Sequence, residues 1–443
     1  MPLEVHMARV LMGALERAVV VEEPDSSLDQ LLDEGGMTVH RVSVAPTESE
    51  LIQILNETRA QVLFKRSRVA VTRNVVESCP DLFAVQLCCI GDDSVDKGAC
   101  ADHGVLVFND PVSNARSVVE LAMAHLIALS RRLYETNDSC RSGAWDKNNI
   151  ERYEVKGKVL GILGLGNIGR QVARAADGMG MRICFFDSRY AATEVGTEFG
   201  WEECNTVEDL LSRSDYVSVH LSANDAGGVS NDGLLTRERL MMLGKDRPAN
   251  SPRVFLNLSR GNIHDPSDLK AAIDSGAIRR AAVDVYPNEP RGKEEWVNPY
   301  VDEPRVAVTP HIGAATQEAQ PRIARRVAWT ASRFSKYGSV RDMVFGAKAK
   351  LTLVESNSEG QTLLAVAHST TRGTKRAVDD AIFQAGANNM SSVHKDFTEY
   401  GVAFDLAAID RPLSEEEINA LVEKAAELTG DDNAIRSVRQ ITG

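Results

Sequence analysis

The sequence is short of several things, and each shortage removes a class of function. No stretch of its 443 residues comes near the roughly 18–20 consecutive apolar residues that a membrane helix needs. The first residues, with Glu4 and His6 among them, carry no basic-then-apolar secretion signal. The seven cysteines are odd in number and scattered, only Cys88 and Cys89 being neighbours, so no disulfide framework is expected. No CxxC or Cys/His cluster has the spacing of a metal site, and no metal is expected. A reduced, cytoplasmic protein follows from that cysteine usage. Positive charge is scarce too: 50 Lys and Arg against 63 Asp and Glu give a net charge of −13. That balance argues against nucleic acid or an anionic membrane as the main partner. An anionic substrate would need a local basic exception.

What is present is ordinary for a globular chain, with 43% hydrophobic and 26% charged residues. The length suggests about three domains. After a leading segment (1–15) with no assigned role, residues 17–21, 38–44, 62–64, 83–88 and 105–108 read as strands. Helical patterns at 27–34 and 48–59 separate some of them, an alternation that implies a parallel sheet. This gives a first domain over 1–113. A long amphipathic helix over 114–132 then leads into a second domain, 114–313. Its strand candidates are 159–163, 182–186, 216–219, 254–258, 281–285 and 306–308, with helical segments between most of them, as in a doubly wound sheet. A helix at 318–336 lies in a stretch, 314–345, that returns to the first domain. Residues 346–360 read as a linker. From 361 to 443 the order becomes strand, helix, strand, strand, helix, strand, a ferredoxin-like βαββαβ unit.

The sharpest local signal is Gly164-Leu165-Gly166-Asn167-Ile168-Gly169, directly after a strand and opening a helix. Glycines there let backbone N–H groups approach a pyrophosphate at the helix N-terminus. Glycines in any strand–helix turn can serve packing alone, but the next strand ends in Asp187. An acid at that place accepts hydrogen bonds from the ribose hydroxyls of NAD and repels a 2′-phosphate, although Arg189 close by works against the second effect. A solvated surface aspartate is the plainer reading of Asp187.

Three later strands end in polar residues with no packing reason to be there. They run into Ser259-Arg260-Gly261, into Tyr286-Pro287-Asn288-Glu289-Pro290 and into Thr309-Pro310-His311-Ile312-Gly313. Ligands of open parallel sheets bind beyond the carboxyl ends of the strands, so Arg260, Glu289 and His311 should converge. A lone His or Arg is more often structural than catalytic, but three on successive strand ends reverse the odds. Removing a hydroxyl proton while hydride leaves carbon suits them. His311 titrates near neutrality, Glu289 would orient it, and Arg260 offers a planar fork for a carboxylate.

These stretches, with Asn257-Leu258-Ser259-Arg260-Gly261 and Val283-Asp284-Val285-Tyr286 completing them, resemble the D-2-hydroxyacid dehydrogenases. The resemblance implies a Rossmann-type NAD domain, a flavodoxin-like substrate domain and a homodimer or homotetramer. It assigns the catalytic roles to Arg260, Glu289 and His311 and sets Asp284 beside the nicotinamide, with a buried capping aspartate as the equal alternative. Within the family the chain is most similar to the branch that oxidises D-3-phosphoglycerate to 3-phosphohydroxypyruvate, the first step of L-serine biosynthesis. Lys65-Arg66-Ser67-Arg68 resembles that branch's substrate loop, two of whose arginines can bind a phosphate. Asn114 and Lys147 match further substrate positions. A solvated basic turn is the plain alternative for 65–68. The tail resembles an ACT domain, in which His368 and Asn388 match positions that bind an amino-acid effector, L-serine being the first candidate.

Several residues depart from the pattern: Asp92 and Asp93 after Gly91, His264 after the Arg260 turn, the Pro-rich 245–252, and Thr370 in the tail's first turn. Two other readings stand beside this one. A glycerate or hydroxypyruvate reductase would need no phosphate site, and an NAD-binding corepressor-like module would lack the arginine pair and the tail.

Overall fold

Short runs of branched side chains between turn residues become strands, and the computed structural model shows three sheets. It describes residues 8–225, 229–290, 295–346, 351–353 and 361–442. The chain divides into two units, Met1–Pro111 with Gln320–Gly443, and Val112–Ala319.

In the first unit β1 (Arg9–Met12) is followed by β2 (Arg17–Val21), β3 (Thr38–Val42), β4 (Val62–Lys65), β5 (Ala84–Leu87) and β6 (Leu106–Phe108). All but β1 form one parallel sheet in the order β3-β2-β4-β5-β6. That is a flavodoxin-like order, with strand ends opening beside the first-entered strand, β2. β4 and β5 are buried along their whole length, which explains why they read as continuous apolar runs without alternation.

The second unit carries β7 (Val159–Leu163), β8 (Arg182–Phe186), β9 (Glu202–Glu203), β10 (Tyr216–Val219), β11 (Val254–Asn257), β12 (Arg280–Val283) and β13 (Val306–Val308). They form a parallel sheet ordered β13-β12-β11-β10-β7-β8-β9. Chain order reverses at β7, the switch point of a doubly wound fold. One face is covered by the helices Ala115–Ser130 and Gly169–Gly178, through Val119, Ala122, Leu126, Val172 and Ala176. The long helix expected over 114–132 stops at Ser130, because Arg132 adopts a left-handed backbone (φ 54°) and a new helix starts at Leu133. The exposed pair Glu202–Glu203, too short to show a period, escaped the sequence reading.

The tail contributes β14 (Thr362–Ser369), β15 (Asn389–Phe397), β16 (Val402–Ile409) and β17 (Ile435–Thr442) with the helices Thr374–Gln384 and Glu415–Thr429. Ser414 and Glu417 form a capping box that starts the second helix. The sheet order is β1-β17-β14-β16-β15. The leading segment is therefore the sheet's fifth strand: Arg9 to Met12 pair in parallel with Ser437 to Gln440. The Arg9 guanidinium is buried and donates to the carbonyls of His103, Cys79 and Val76. On the first sheet's side, Leu363, Ala365, Phe404 and Leu406 share a core with Phe108, Val327 and Phe334, while Leu364, Val366 and Ala407 pack under the tail's own helices. The tail and the first sheet are thus one body. Most of the stretch read as a linker lies outside the described residues, but Leu351 bridges to Val340.

Candidate active site

The glycine turn after β7 leaves no room for side chains. Gly164 has φ +94°, and a Cβ on it would meet the carbonyl oxygen of His220 at 2.7 Å. A Cβ on Gly169 would lie 2.1 Å from the carbonyl oxygen of Gly164. Asn167 and Ile168 complete the turn, and the helix Gly169–Gly178 begins at once. The Asp187 side chain, only 5% exposed, accepts from the backbone N–H of Leu165 (2.8 Å) and from the Arg189 guanidinium (2.8 and 2.6 Å). Burial pushes this carboxyl up, but the bonds from Arg189 and Leu165 outweigh it and hold it below the usual carboxylate range. This cradle of glycine, helix start and ionised aspartate fits a dinucleotide. Arg189 lies over the turn, its terminal nitrogen 3.4 Å from where a Cβ on Gly166 would be.

The three strand-end residues converge as expected. His311 Nδ1 is 2.7 Å from Glu289 Oε2. That bond is the largest influence on the imidazole, and it raises the His311 pKa above its ordinary value against the opposing effect of burial. In Glu289 burial pushes the carboxyl up, the contact with His311 pulls it down further, and the net is a lowered pKa. Half of the His311 side chain is exposed, leaving Nε2 for a substrate. Arg260 sits close enough to act on both charges. A Cβ on Gly261 would stand 2.0 Å from the backbone carbon of Tyr286, so only glycine lets the Arg260 loop cross so near to the Glu289 loop.

The turn that presents His311 is held by residues that the sequence reading saw differently or missed. His311 has φ 52°, unusual for a non-glycine residue. Asp284, 1% exposed, accepts from Thr309 Oγ1 (2.6 Å) and from the N–H groups of Ile312 and Gly313 (both 2.9 Å). Its carboxylate is committed to this turn, the capping alternative raised for it. The Tyr286 hydroxyl donates to the carbonyl of Thr309. Asn257 ties the loop of Arg260 down by donating to its carbonyl (2.9 Å) and accepting from Ser259. His264 is structural: it is buried between Asn257 and the Tyr300 hydroxyl, and burial lowers its pKa to about 4.

Asn114 stands at the start of the helix Ala115–Ser130, whose Val118 approaches Gly313 and whose Ser117 bonds to Thr316. Its Oδ1 is buried with no partner. Lys147 is exposed in a loop, lining a cleft with Trp145, Arg132 and Arg152, and makes no hydrogen bond or ion pair with the catalytic groups among the described residues.

The basic loop lies in the other unit, at the end of β4. Its backbone is fastened by Glu22, a wholly buried residue that sequence reasoning missed. Glu22 accepts from the N–H groups of Arg66 (2.7 Å), Arg68 (2.5 Å) and Val69 (3.0 Å). Lys65 is turned inward, donating to the Arg66 carbonyl and Ser94 Oγ, and burial lowers its pKa. Ser67 and Arg68 are exposed, Arg66 is half-buried, and Arg66 forms no ion pair among the described residues. Arg68 keeps a loose 3.7 Å contact with Glu22. Asp92, flagged as an added negative charge, is paired with Lys97 at 3.2 Å.

In the tail, His368 and Asn388 stand at opposite ends of the sheet. His368 pairs with Ala403, whereas Asn389 pairs with Ile409, itself opposite Thr362. One chain does not bring the two together.

Residues 123–313 match the family model for the D-isomer specific 2-hydroxyacid dehydrogenase, NAD binding domain. The chain is 31% identical over 364 residues to D-3-phosphoglycerate dehydrogenase of Haemophilus influenzae, covering 82% of this chain and 84% of that protein. It is 28% identical over 404 residues to D-3-phosphoglycerate dehydrogenase 1 of Saccharomyces cerevisiae, covering 89% and 82%. The fold is also that of a glyoxylate reductase from Paecilomyes thermophila, with a TM-score of 0.64 at 21% identity over 74% of this chain and 98% of that one.

Proposed function

The chain belongs to the D-2-hydroxyacid dehydrogenase family as an NAD-dependent enzyme, and from that premise we propose that its substrate is D-3-phosphoglycerate, oxidised to 3-phosphohydroxypyruvate in the first step of L-serine biosynthesis. The observation that carries this reading is the Arg66-Ser67-Arg68 loop. Its backbone is held by Glu22, while the Arg66 guanidinium forms no ion pair among the described residues. Two arginines in a fixed loop suit a phosphate at the far end of a three-carbon acid. The phosphoglycerate dehydrogenases among its relatives point the same way.

In the reaction Arg260 holds the substrate carboxylate and polarises the carbonyl that forms. His311 Nε2 takes the hydroxyl proton as the C–H bond gives up its hydride. NAD, when bound, supplies the hydride acceptor. Glu289 fixes the ring through Nδ1 and stabilises the imidazolium, so no separate relay of the proton is required. Asp284 keeps His311 in its unusual backbone conformation. Asn114, with an unpartnered buried oxygen in the same unit, is a further candidate for substrate contact, as is Lys147.

L-serine remains the candidate effector of the tail. Because His368 and Asn388 lie at opposite ends of one sheet, an effector touching both positions would bridge two copies, in a homodimer or homotetramer.

The test is NADH consumption with phosphohydroxypyruvate against hydroxypyruvate. A kcat/KM at least tenfold higher for the phosphorylated acid is expected. Equal values, or a preference for hydroxypyruvate, would favour the reductase reading and dismiss the phosphate site.

A further inference from the structure

Cysteine and histidine spacing gave no hint of a metal site, yet the tail sheet assembles one from three different strands. His368 is the last residue but one of β14, His394 lies on β15, and Asp405 lies on β16 between them. The register places His394 opposite Asp405, and Asp405 opposite Val366, so that all three side chains fall on the face covered by the tail's helices. One ligand atom from each lies within 4.8 Å of the others. The two imidazole rings are nearly parallel, 20° apart with centroids 5.4 Å apart.

Two buried polar atoms of this cluster are left without a hydrogen-bond partner in the protein. His368 is 2% exposed and Asp405 1%. His368 Nδ1 lies 2.7 Å from the carbonyl of Ser369, which fixes the proton on Nδ1 and leaves the Nε2 lone pair free. That Nε2 is buried with no hydrogen-bond partner, and so is Asp405 Oδ1. Buried acceptors without donors are costly, and the exposed His394 ring stands beside them. What is missing is an electron-pair acceptor.

We infer that His368, His394 and Asp405 form a binding site for a divalent transition cation of the zinc class. Two imidazoles and one carboxylate are a recurring ligand set for zinc and its neighbours, with a fourth position left to water or an incoming group. The outer contacts are also those of a metal site. One histidine donates its remaining N–H to a backbone carbonyl, and the other has a carboxylate at its ring, His394 Nε2 lying 3.0 Å from Asp396 Oδ1.

A resident cation competes for the site. Lys375 Nζ, in the first turn of the helix above the sheet, is 2.9 Å from Asp405 Oδ2. The same ammonium is bonded to Asp379 one turn further on. It therefore has a second carboxylate to keep when a cation takes Asp405. Occupancy would clamp β14, β15 and β16 together at the end of the sheet where the first helix starts, and would claim the same His368 that the effector reading uses.

The test is zinc binding to the untagged full-length enzyme, first stripped with chelator, followed by titration against a chromophoric chelator and repeated with Co2+ for its visible bands. The wild-type chain should bind one equivalent more than His394→Ala, whose change lies on an exposed edge strand and spares the core. Lys375→Ala should bind that equivalent several-fold more tightly. The expected zinc-dependent rise in melting temperature should vanish in His394→Ala. Equal metal content in wild type and His394→Ala would overturn the proposal, as would a Lys375→Ala chain that binds no more tightly. Protection of the protein by L-serine with none by zinc would overturn it as well.

Discussion

The chain contains two parallel sheets that follow the same rule, polar residues gathered beyond the carboxyl ends of the strands, yet the two gatherings are wired differently. In the seven-stranded sheet two ionisable groups are joined to each other, His311 to Glu289, while Asp284 holds the turn that carries His311. In the five-stranded sheet of β2 to β6 Glu22 spends its oxygens on backbone N–H groups, and the guanidinium of Arg66 forms no ion pair among the described residues. The first arrangement tunes a proton donor and acceptor. The second fixes a loop and leaves charge free for a ligand. Ionisable side chains engaged with one another point to chemistry, and a cation such as Arg66, held through its backbone, points to recognition.

That contrast breaks most sharply at His311. His311→Ala should reduce kcat by about two orders of magnitude or more, the usual worth of a general base. The affinity for NAD, measured by fluorescence titration, should hardly change, because the glycine turn and Asp187 are untouched. Near wild-type turnover would take His311 out of the reaction.

Cofactor choice comes next in size. Asp187→Ala removes the proposed acceptor for the ribose hydroxyls and frees Arg189, now paired with it, to meet a 2′-phosphate. The ratio of kcat/KM for NAD over NADP should fall on the order of tenfold, matching the loss of one charge-assisted bond. A ratio unchanged by the substitution would make Asp187 a structural brace for Leu165 and Arg189 alone.

The smallest effect is a displaced pH profile. Glu289 raises the His311 pKa, and oxidation requires the neutral ring, so kcat/KM for oxidation should climb with pH to a midpoint above the ordinary imidazole value. Glu289→Gln should move that midpoint down toward about 6.5. Stability runs the opposite way with pH. The pair contributes fully below the ordinary imidazole pKa, and the contribution is lost as pH rises through the raised one. A midpoint that does not move would separate Glu289 from the titration of His311.

Much of this was legible in the sequence because the signals are local. Gly164 to Gly169 with Asp187, and the strand-end residues Arg260, Glu289 and His311, each sit within a few positions of a strong apolar run. The sequence order of the tail likewise reads as βαββαβ, and its strands and helices lie where their periods put them. What escaped depends on distant parts of the chain. Glu22 serves amides more than forty positions away, and no local pattern marks it. The strand Arg9–Met12 exists only because β17 offers it an edge. Asp284 was visible as an acid near the site, but its three bonds to the His311 turn depend on the backbone path of Thr309 to Gly313. His368, His394 and Asp405 meet only through the register of three strands, so their spacing along the chain carries no metal signature.

The measurement that bears most directly on the division between chemistry and recognition is the ratio of kcat/KM for phosphohydroxypyruvate over hydroxypyruvate in an Arg66→Ala, Arg68→Ala double variant. Loss of charge-assisted bonds to a phosphate costs about 1.5–3 kcal/mol each, so the ratio should fall at least tenfold, through KM, while turnover of hydroxypyruvate is kept. A parallel loss on both substrates, or a ratio equal to that of the wild type, would contradict the account.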